Sequence, residues 1–278
     1  MKFYFHKFQL TPLRKLNHLS SIAPRYGVFL KRESNEGLGF CEYFPHPELG
    51  DENVDEFLAS FHQQRSNSQK KAAYLLEPKW SRVYEPKKFF NHQLYKENDS
   101  LQSHVIKYKL HHKDDFHFTK LIKKGLKLRL DANGLFDLES WPHFVRSLST
   151  ETMEHLDYIE DPMNQLNWSD ITLPAAKDFI PGAPYQVNIF KPYRDFLNLD
   201  KVRTIFSGNM GNGLSNYQAY LELVEFGDLR DHHGILTDDL YQESPKLFSG
   251  SFIEGFEPNN SAIRNYFLKL ESLDWTPL

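Results

Sequence analysis

The chain carries a single cysteine, Cys41, among its 278 residues. No intramolecular disulfide can form, and no donors beside it have metal-ligand spacing, so it reads as a buried small hydrophobe. Long apolar runs are also missing. The longest, YGVFL and AAYLL, are far too short to cross a bilayer, and the opening MKFYFHKFQL lacks the apolar stretch of a secretory leader. There is no internal repeat, no low-complexity tract and no basic stripe. With a net charge of −4 and scattered lysines and arginines, a nucleic-acid surface has no support. These absences lead us to expect a cytoplasmic protein, a monomer or small homo-oligomer, with neither nucleic acid nor membrane as partner. What is present is ordinary globular composition, 40% hydrophobic and 25% charged, enough for one large or two modest domains.

Texture changes near residue 85. Before it, the strand-like runs KFYFHKFQL, YGVFLKRE and GLGFCEYF are separated by Asn, Gly and Pro clusters, as in an antiparallel meander. GDENVDEFLASFHQQR then places Val54, Phe57, Leu58 and Phe61 at helical spacing behind an Asp51 or Asn53 cap. Residues 1–86 are therefore expected to form an α+β capping domain. From 87 to 254 strand and helix alternate, with strands ending near 94, 109, 131, 160, 178, 191, 207 and 237. About eight such repeats predict a (β/α) barrel, with the site at the strands' C-terminal ends. Spacing between 160 and 191 leaves no room for full outer helices. Residues 255–278 are expected to pack back on the cap.

VIKYKL, residues 105–110, sets Ile106, Tyr108 and Leu110 on one face and both Lys107 and Lys109 on the other. Two like charges side by side need a reason. The following strands supply one. LKLRLDANG turns Leu126, Leu128 and Leu130 toward the helices and Arg129 and Asp131 inward, LDYIEDP ends on inward Glu160, LPAAKDF brings Asp178, and VNIFKP sends Val187, Ile189 and Lys191 inward. Any one lysine or DAN turn is commonly a solvated residue or a simple turn, but the ordered set, each closing a strand, reads as a site. Three carboxylates without cysteine or histidine suit a hard cation, Mg²⁺ rather than Zn²⁺. The crowding of Lys107 and Lys109 is expected to lower the pKa of one toward a usable base. Asn133, on the same side as Asp131, is placed to bond a ligand carboxylate or the substrate, or only to shape the turn. Asp161 faces outward by alternation, as a residue that supports the ligands from behind or belongs to the loop, and the histidines, His111, His112, His232 and His233 among them, read as mostly surface.

On these residues the sequence resembles the enolase superfamily, and within it the o-succinylbenzoate synthase family. GLGFCEYFPHPELG is similar to its Gly-rich strand and following turn, VIKYKL to its K-x-K strand, LRLDANG to its D-A-N strand and YIEDP to its E-x-P. VNIFKP resembles its sixth-strand lysine, and TIFSGNMGNGLSNYQAYLELV its Ser- and Gly-rich seventh strand and helix. The resemblance implies a shortened, TIM-like modified (β/α)7β barrel with an N-terminal α+β cap, and Mg²⁺ held by Asp131, Glu160 and Asp178. Lys109 would be the base, Lys191 would lie across the substrate ring, and Lys107 would assist electrostatically. Ser207 and Gly208 would contact the carboxylate of a small-molecule substrate. Arg25 belongs either to a cap loop over the site or to solvent. The implied reaction is loss of water from 2-succinyl-6-hydroxy-2,4-cyclohexadiene-1-carboxylate to give o-succinylbenzoate, a step toward menaquinone. An N-acylamino acid racemase, a dipeptide epimerase or a non-catalytic barrel relic are the alternatives. Lys177-Asp178-Phe179 departs from the family's D-E-S, so Asp178 aligns with either acid.

Overall fold

Strands β1 (Lys2–Leu10), β2 (Arg25–Ser34) and β3 (Gly37–Tyr43) form the antiparallel meander that their alternation predicts, with Phe5 opposite Leu30 and Leu30 opposite Cys41. The structure is a computed structural model that describes residues 1–15, 22–97, 100–122, 125–163, 171, 173–178, 185–192, 194, 196, 202–237 and 240–278. Helices α1 (Val54–Ser60) and α2 (Asn67–Leu75) cover the sheet. Asn53 is the cap of α1. Its side chain accepts from the amides of Asp55 and Glu56, while Glu56 reaches back to the Asn53 amide. Phe57 and Phe61 are buried with Tyr43 stacked on Phe57 at 3.8 Å, each such ring contributing about 1.5–3 kcal/mol. Cys41 is wholly buried, as a small hydrophobe.

The barrel follows. Its elements are β4 (Phe90–Asn91), β5 (Gln93–Leu94), β6 (Val105–Lys109), α3 (Thr119–Ile122), β7 (Lys127–Asp131), α4 (Ser140–Ser147), α5 (Thr150–His155) and β8 (Leu156–Glu160). There follow β9 (Ala175–Lys177), β10 (Val187–Phe190), β11 (Arg203–Phe206), α6 (Gly213–Phe226) and β12 (His232–His233). β5 to β11 form one seven-stranded parallel sheet in chain order. β12 completes the circle: it pairs in parallel with β4, and Gly234 donates to the Phe206 carbonyl at 2.8 Å. Eight staves result, with β4 and β5 together as the first. Between β8 and β10 the described residues hold one three-residue strand and no helix, as the short spacing requires. The last stave stops at His233 rather than near 237, because the amides of Ile235 and Leu236 bond the Asn91 side chain instead of a strand.

Alternation sorts the faces. Ile106, Tyr108, Leu128, Leu130 and Ile159 pack outward under Leu121, Trp141 and Phe144, while Tyr158, Ala176, Val187, Ile189 and Ile205 fill the lumen. Beyond the barrel come β13 (Phe248–Ser251), β14 (Gly255–Pro258), α7 (Asn260–Glu271) and β15 (Thr276–Pro277); β15 pairs with β1, and Ile263 and Phe267 join the core that Val28, Phe40 and α6 share. That common core fixes the cap upon the barrel. Among the described residues no helix is long and apolar enough to cross a membrane.

Candidate active site

β6, β7, β8, β9 and β10 end at one rim, and the in-register pairs Lys109 with Asp131 and Asp131 with Glu160 set their side chains side by side. Lys107 lies between two acids, its Nζ 3.0 Å from Asp131 and 2.9 Å from Glu160. Burial pulls this ammonium down, but the two carboxylates outweigh it and hold Lys107 well above the ordinary lysine range. The expectation that crowding lowers a lysine is thus reversed at Lys107, because the carboxylates stand nearer than any like charge. Asp131 is also buried, and Lys107, Lys109 and Lys191 hold it below the usual range. Glu160 goes up instead, driven by burial and by Asp131, Asp178 and Asp161 against the pull of Lys107.

Lys191 pairs with Asp178 at 2.5 Å. The other oxygen of Asp178, Oδ1, is buried and receives no hydrogen bond among the described residues. Lys109 differs from both other lysines: among the described residues it has no ion pair and no hydrogen bond, and it faces Asp131 only through space. On an eight-stave circle β6 is the second stave and β10 the sixth. Lys109 and Lys191 therefore come from opposite walls, with the three acids on the staves between.

Asn133 both shapes the turn and bonds the neighbouring carboxylate. Held at φ +46°, it donates from Nδ2 to Asp131 Oδ1 at 2.6 Å. Asp161 takes the supporting rather than the loop alternative, though not by facing outward: it is buried, has φ +41°, and its Oδ1 accepts from the Asp178 amide at 3.0 Å. It fixes the end of β9 although its alternation pointed away, since the left-handed turn swings it back. Ser207 and Gly208 close the seventh stave, their amides donating to Phe190 and Gly234 carbonyls at 2.9 and 2.8 Å. Arg25 stays in the cap. Glu48 takes its guanidinium in a two-point pair at 2.8 Å each, beside His46, and Arg25 makes no hydrogen bond to the rim lysines or acids.

Several residues escaped the sequence reading. His46 is buried, and its Nε2 lies 3.0 Å from the Asn209 carbonyl. Asp51, from the cap, pairs with Arg194 at 2.7 Å, three residues beyond Lys191. Buried His233 corrects the surface reading: its Nδ1 accepts from the Phe206 amide, which seats the last stave against the seventh. His111 and His112 are exposed as expected. Burial of a lone histidine leaves no mark in single-sequence spacing.

The donor set fits a hard divalent cation: carboxylate oxygens only, two already converging on one positive charge and a third with a buried oxygen lacking any donor among the described residues. Among the described residues no three acid or imidazole side chains converge on a common point, because Asp178 turns to Lys191.

Comparison with known proteins bears out the resemblance. Residues 3–76 match the model of the o-succinylbenzoate synthase N-terminal domain. An o-succinylbenzoate synthase of Bdellovibrio bacteriovorus is 26% identical over 87% of this chain and 88% of its own. An o-succinylbenzoate synthase from Thermosynechococcus elongatus, solved with magnesium in its active site, superposes with a TM-score of 0.68 at 16% identity, covering 98% of this chain and 100% of its own. The fold is shared with a member of the enolase superfamily from Listeria innocua, at TM-score 0.67 and 13% identity, covering 95% of this chain and 96% of its own. The L-Ala-D/L-Glu epimerase of Bacillus subtilis shares that superfamily fold at TM-score 0.66 and 11% identity, covering 93% of this chain and 95% of its own.

Proposed function

We propose that the chain is an o-succinylbenzoate synthase, a hydro-lyase that removes water from 2-succinyl-6-hydroxy-2,4-cyclohexadiene-1-carboxylate. One observation supports this most: two lysines from opposite staves flank three successive carboxylates, and only one of them, Lys109, is without a bound partner among the described residues. Asp131, Glu160 and Asp178 would hold Mg²⁺, which supplies positive charge where charge develops on the substrate carboxylate.

The carbon beside a carboxylate is a very weak acid. Lys109 takes its proton, and the enolate left behind lies between Lys109 and Lys191. Lys191, freed from Asp178, lies across the ring with its charge against the enolate. Lys107 stays protonated between Asp131 and Glu160 and adds a fixed positive charge below the reacting atoms. The enolate then expels the hydroxyl from the neighbouring carbon, and that hydroxyl leaves with the abstracted proton as water. No net proton is gained or lost, and the ring becomes aromatic. The amides of Ser207 and Gly208 are taken by the Phe190 and Gly234 carbonyls, so the Ser207 hydroxyl donates to the substrate carboxylate and Gly208, without a side chain, leaves room for it at the seventh stave. The product is a step toward menaquinone.

The test is Lys109→Ala. Loss of a general base costs typically 10²–10⁴-fold, so kcat for the cyclohexadiene carboxylate should fall by about that factor while calorimetry still detects product binding. Turnover by both variant and parent no faster than the uncatalysed dehydration would make the barrel a relic, and equal catalysed turnover would remove Lys109 as the base. An epimerase or racemase would reveal itself in D₂O, where N-succinyl amino acids would exchange their α-proton rapidly; the synthase should leave them unlabelled.

A further inference from the structure

The turn that leaves the seventh stave is shaped by the cap. Met210 stands at φ +53°, a conformation a side-chain-bearing residue adopts only when its surroundings hold it. Each residue around it is held. Asn209 gives its carbonyl to His46 and its Nδ2 to the Phe44 carbonyl at 3.4 Å, and Tyr241 donates to the Met210 carbonyl at 2.6 Å. Glu42, on β3 of the cap and 2% exposed, accepts from the Asn212 amide at 2.5 Å and the Ser215 amide at 3.1 Å. Asn212 itself caps the Gly213 amide at 2.6 Å.

We propose that Glu42 is a positioning residue for substrate binding: its carboxylate occupies the N-terminus of α6 and locks the Asn209–Asn212 turn, and through it Ser207 and Gly208, in the shape that receives the substrate carboxylate. This rests on the synthase reading. The amides opening a helix attract anions, and here the chain's own carboxylate takes that place. The substrate carboxylate is thereby directed to Ser207 and Gly208 rather than to the helix end. Gly211 reports the same lock. A Cβ on it would stand 2.3 Å from Glu42 Oε1, while its φ is outside the left-handed region, so alanine there strains no backbone but drives the carboxylate out. The added methyl would also meet Ser215 Oγ at 3.1 Å and Phe44 Cβ at 3.2 Å, so part of its cost persists without Glu42.

The experiment compares Glu42→Ala, Gly211→Ala, their double variant and Glu42→Gln. We expect each single alanine variant to raise KM and the calorimetric Kd for o-succinylbenzoate about tenfold or more with kcat within about threefold, since uniform binding is what is lost. Glu42→Gln, which keeps an acceptor, should recover most of the affinity. The double variant should be far better than the product of the single effects, because both act on one contact. Lower melting temperatures with unchanged KM and Kd would reduce Glu42 to a structural part and overturn the proposal, as would multiplying effects. Should the parent neither turn over the diene nor bind the product, the synthase reading fails, and amide exchange decides about Glu42. Faster exchange at 209–216 in Glu42→Ala with protection restored in Glu42→Gln upholds the lock; unchanged exchange overturns it. If Glu42→Ala does not fold, Gly211→Ala and Glu42→Gln carry the same comparison.

Discussion

Lys107 and Lys109 are two residues apart on one face of β6, and their surroundings make them different groups. Lys107 is clamped between two buried carboxylates, whereas Lys109, at the strand's last position, has none within pairing distance among the described residues. The acids opposite are equally distinct. Asp178 is the one whose backbone is held by another acid, Asp161, and whose free oxygen is buried without a donor among the described residues. An ion bound there should gain from that oxygen. Asp178→Asn, which removes the charge and keeps the shape, should weaken Mg²⁺ by about tenfold or more. The rise in melting temperature on adding Mg²⁺ measures it, since a ligand of the folded state stabilises by RT ln(1 + [L]/Kd). An undiminished rise would show that Asp178 is no ligand. At this scale the sequence showed which residues reach the rim, because strand alternation is local. It did not show Asp161 turning back, because the left-handed φ of one aspartate follows from the closing of the barrel around it.

β3 and α6 meet through Glu42, and the meeting has a pH signature. Burial drives this carboxyl up to about 7, against the pull of the Asn212 and Ser215 amides. The titratable groups facing it, Cys41, Tyr241 and Tyr266, are themselves pushed up by burial and stay neutral through the window. The folded chain therefore keeps a proton on Glu42 that the unfolded chain releases near pH 4.5, so the stability this group contributes falls as pH rises from about 4.5 to about 7 and is lost above. At 1.36 kcal/mol per pKa unit the loss is on the order of 3 kcal/mol at most. Urea unfolding of parent and Glu42→Gln between pH 5 and 8 checks it: Glu222 and Glu160, also raised by burial, keep their own fall in the variant, whose slope should be shallower by the Glu42 share, and an identical slope would refute the assignment. Among elements, β1–β3, the Asn53-capped helix and most stave ends were legible, since period-two alternation, Gly and Pro punctuation and a capping box are written within a few residues. The end of β12 was not, because it depends on the Asn91 side chain some 140 positions away intercepting two amides.

At the scale of the whole barrel, the end opposite the acids is closed by charge. Arg129, fully buried inside the lumen, donates to Asp157 at 2.8 Å, to Asp231 at 3.3 Å and to the His232 carbonyl. Arg203 pairs with the same two aspartates at 2.6 Å each, and the four side chains border a cavity of about 460 Å³ at the base. Third, fourth, seventh and eighth staves are thereby tied across the floor. Removing one member of such a buried set commonly costs about 3–5 kcal/mol, so Arg129→Met should lower the unfolding free energy by about that much while KM and kcat of the remaining folded enzyme stay near the parent's. A kcat collapse without loss of stability would instead place Arg129 in the chemistry. The inward turn of Arg129 was legible from alternation; its partners were not, as they come from staves separated by up to 103 residues.

The circle of staves is sewn shut by unequal stitches. Neighbours such as β6 and β7 match five residues, but β9 matches two on either side and β12 and β4 match two, helped by Asn91 and by His92 donating to the His233 carbonyl. The first-to-last seam and the two flanking β9 are tear lines: thermal breathing of the cylinder should begin there, loosening Asp178 at the end of β9 before Lys109, Asp131 and Glu160, whose staves are sewn by five and four matched residues.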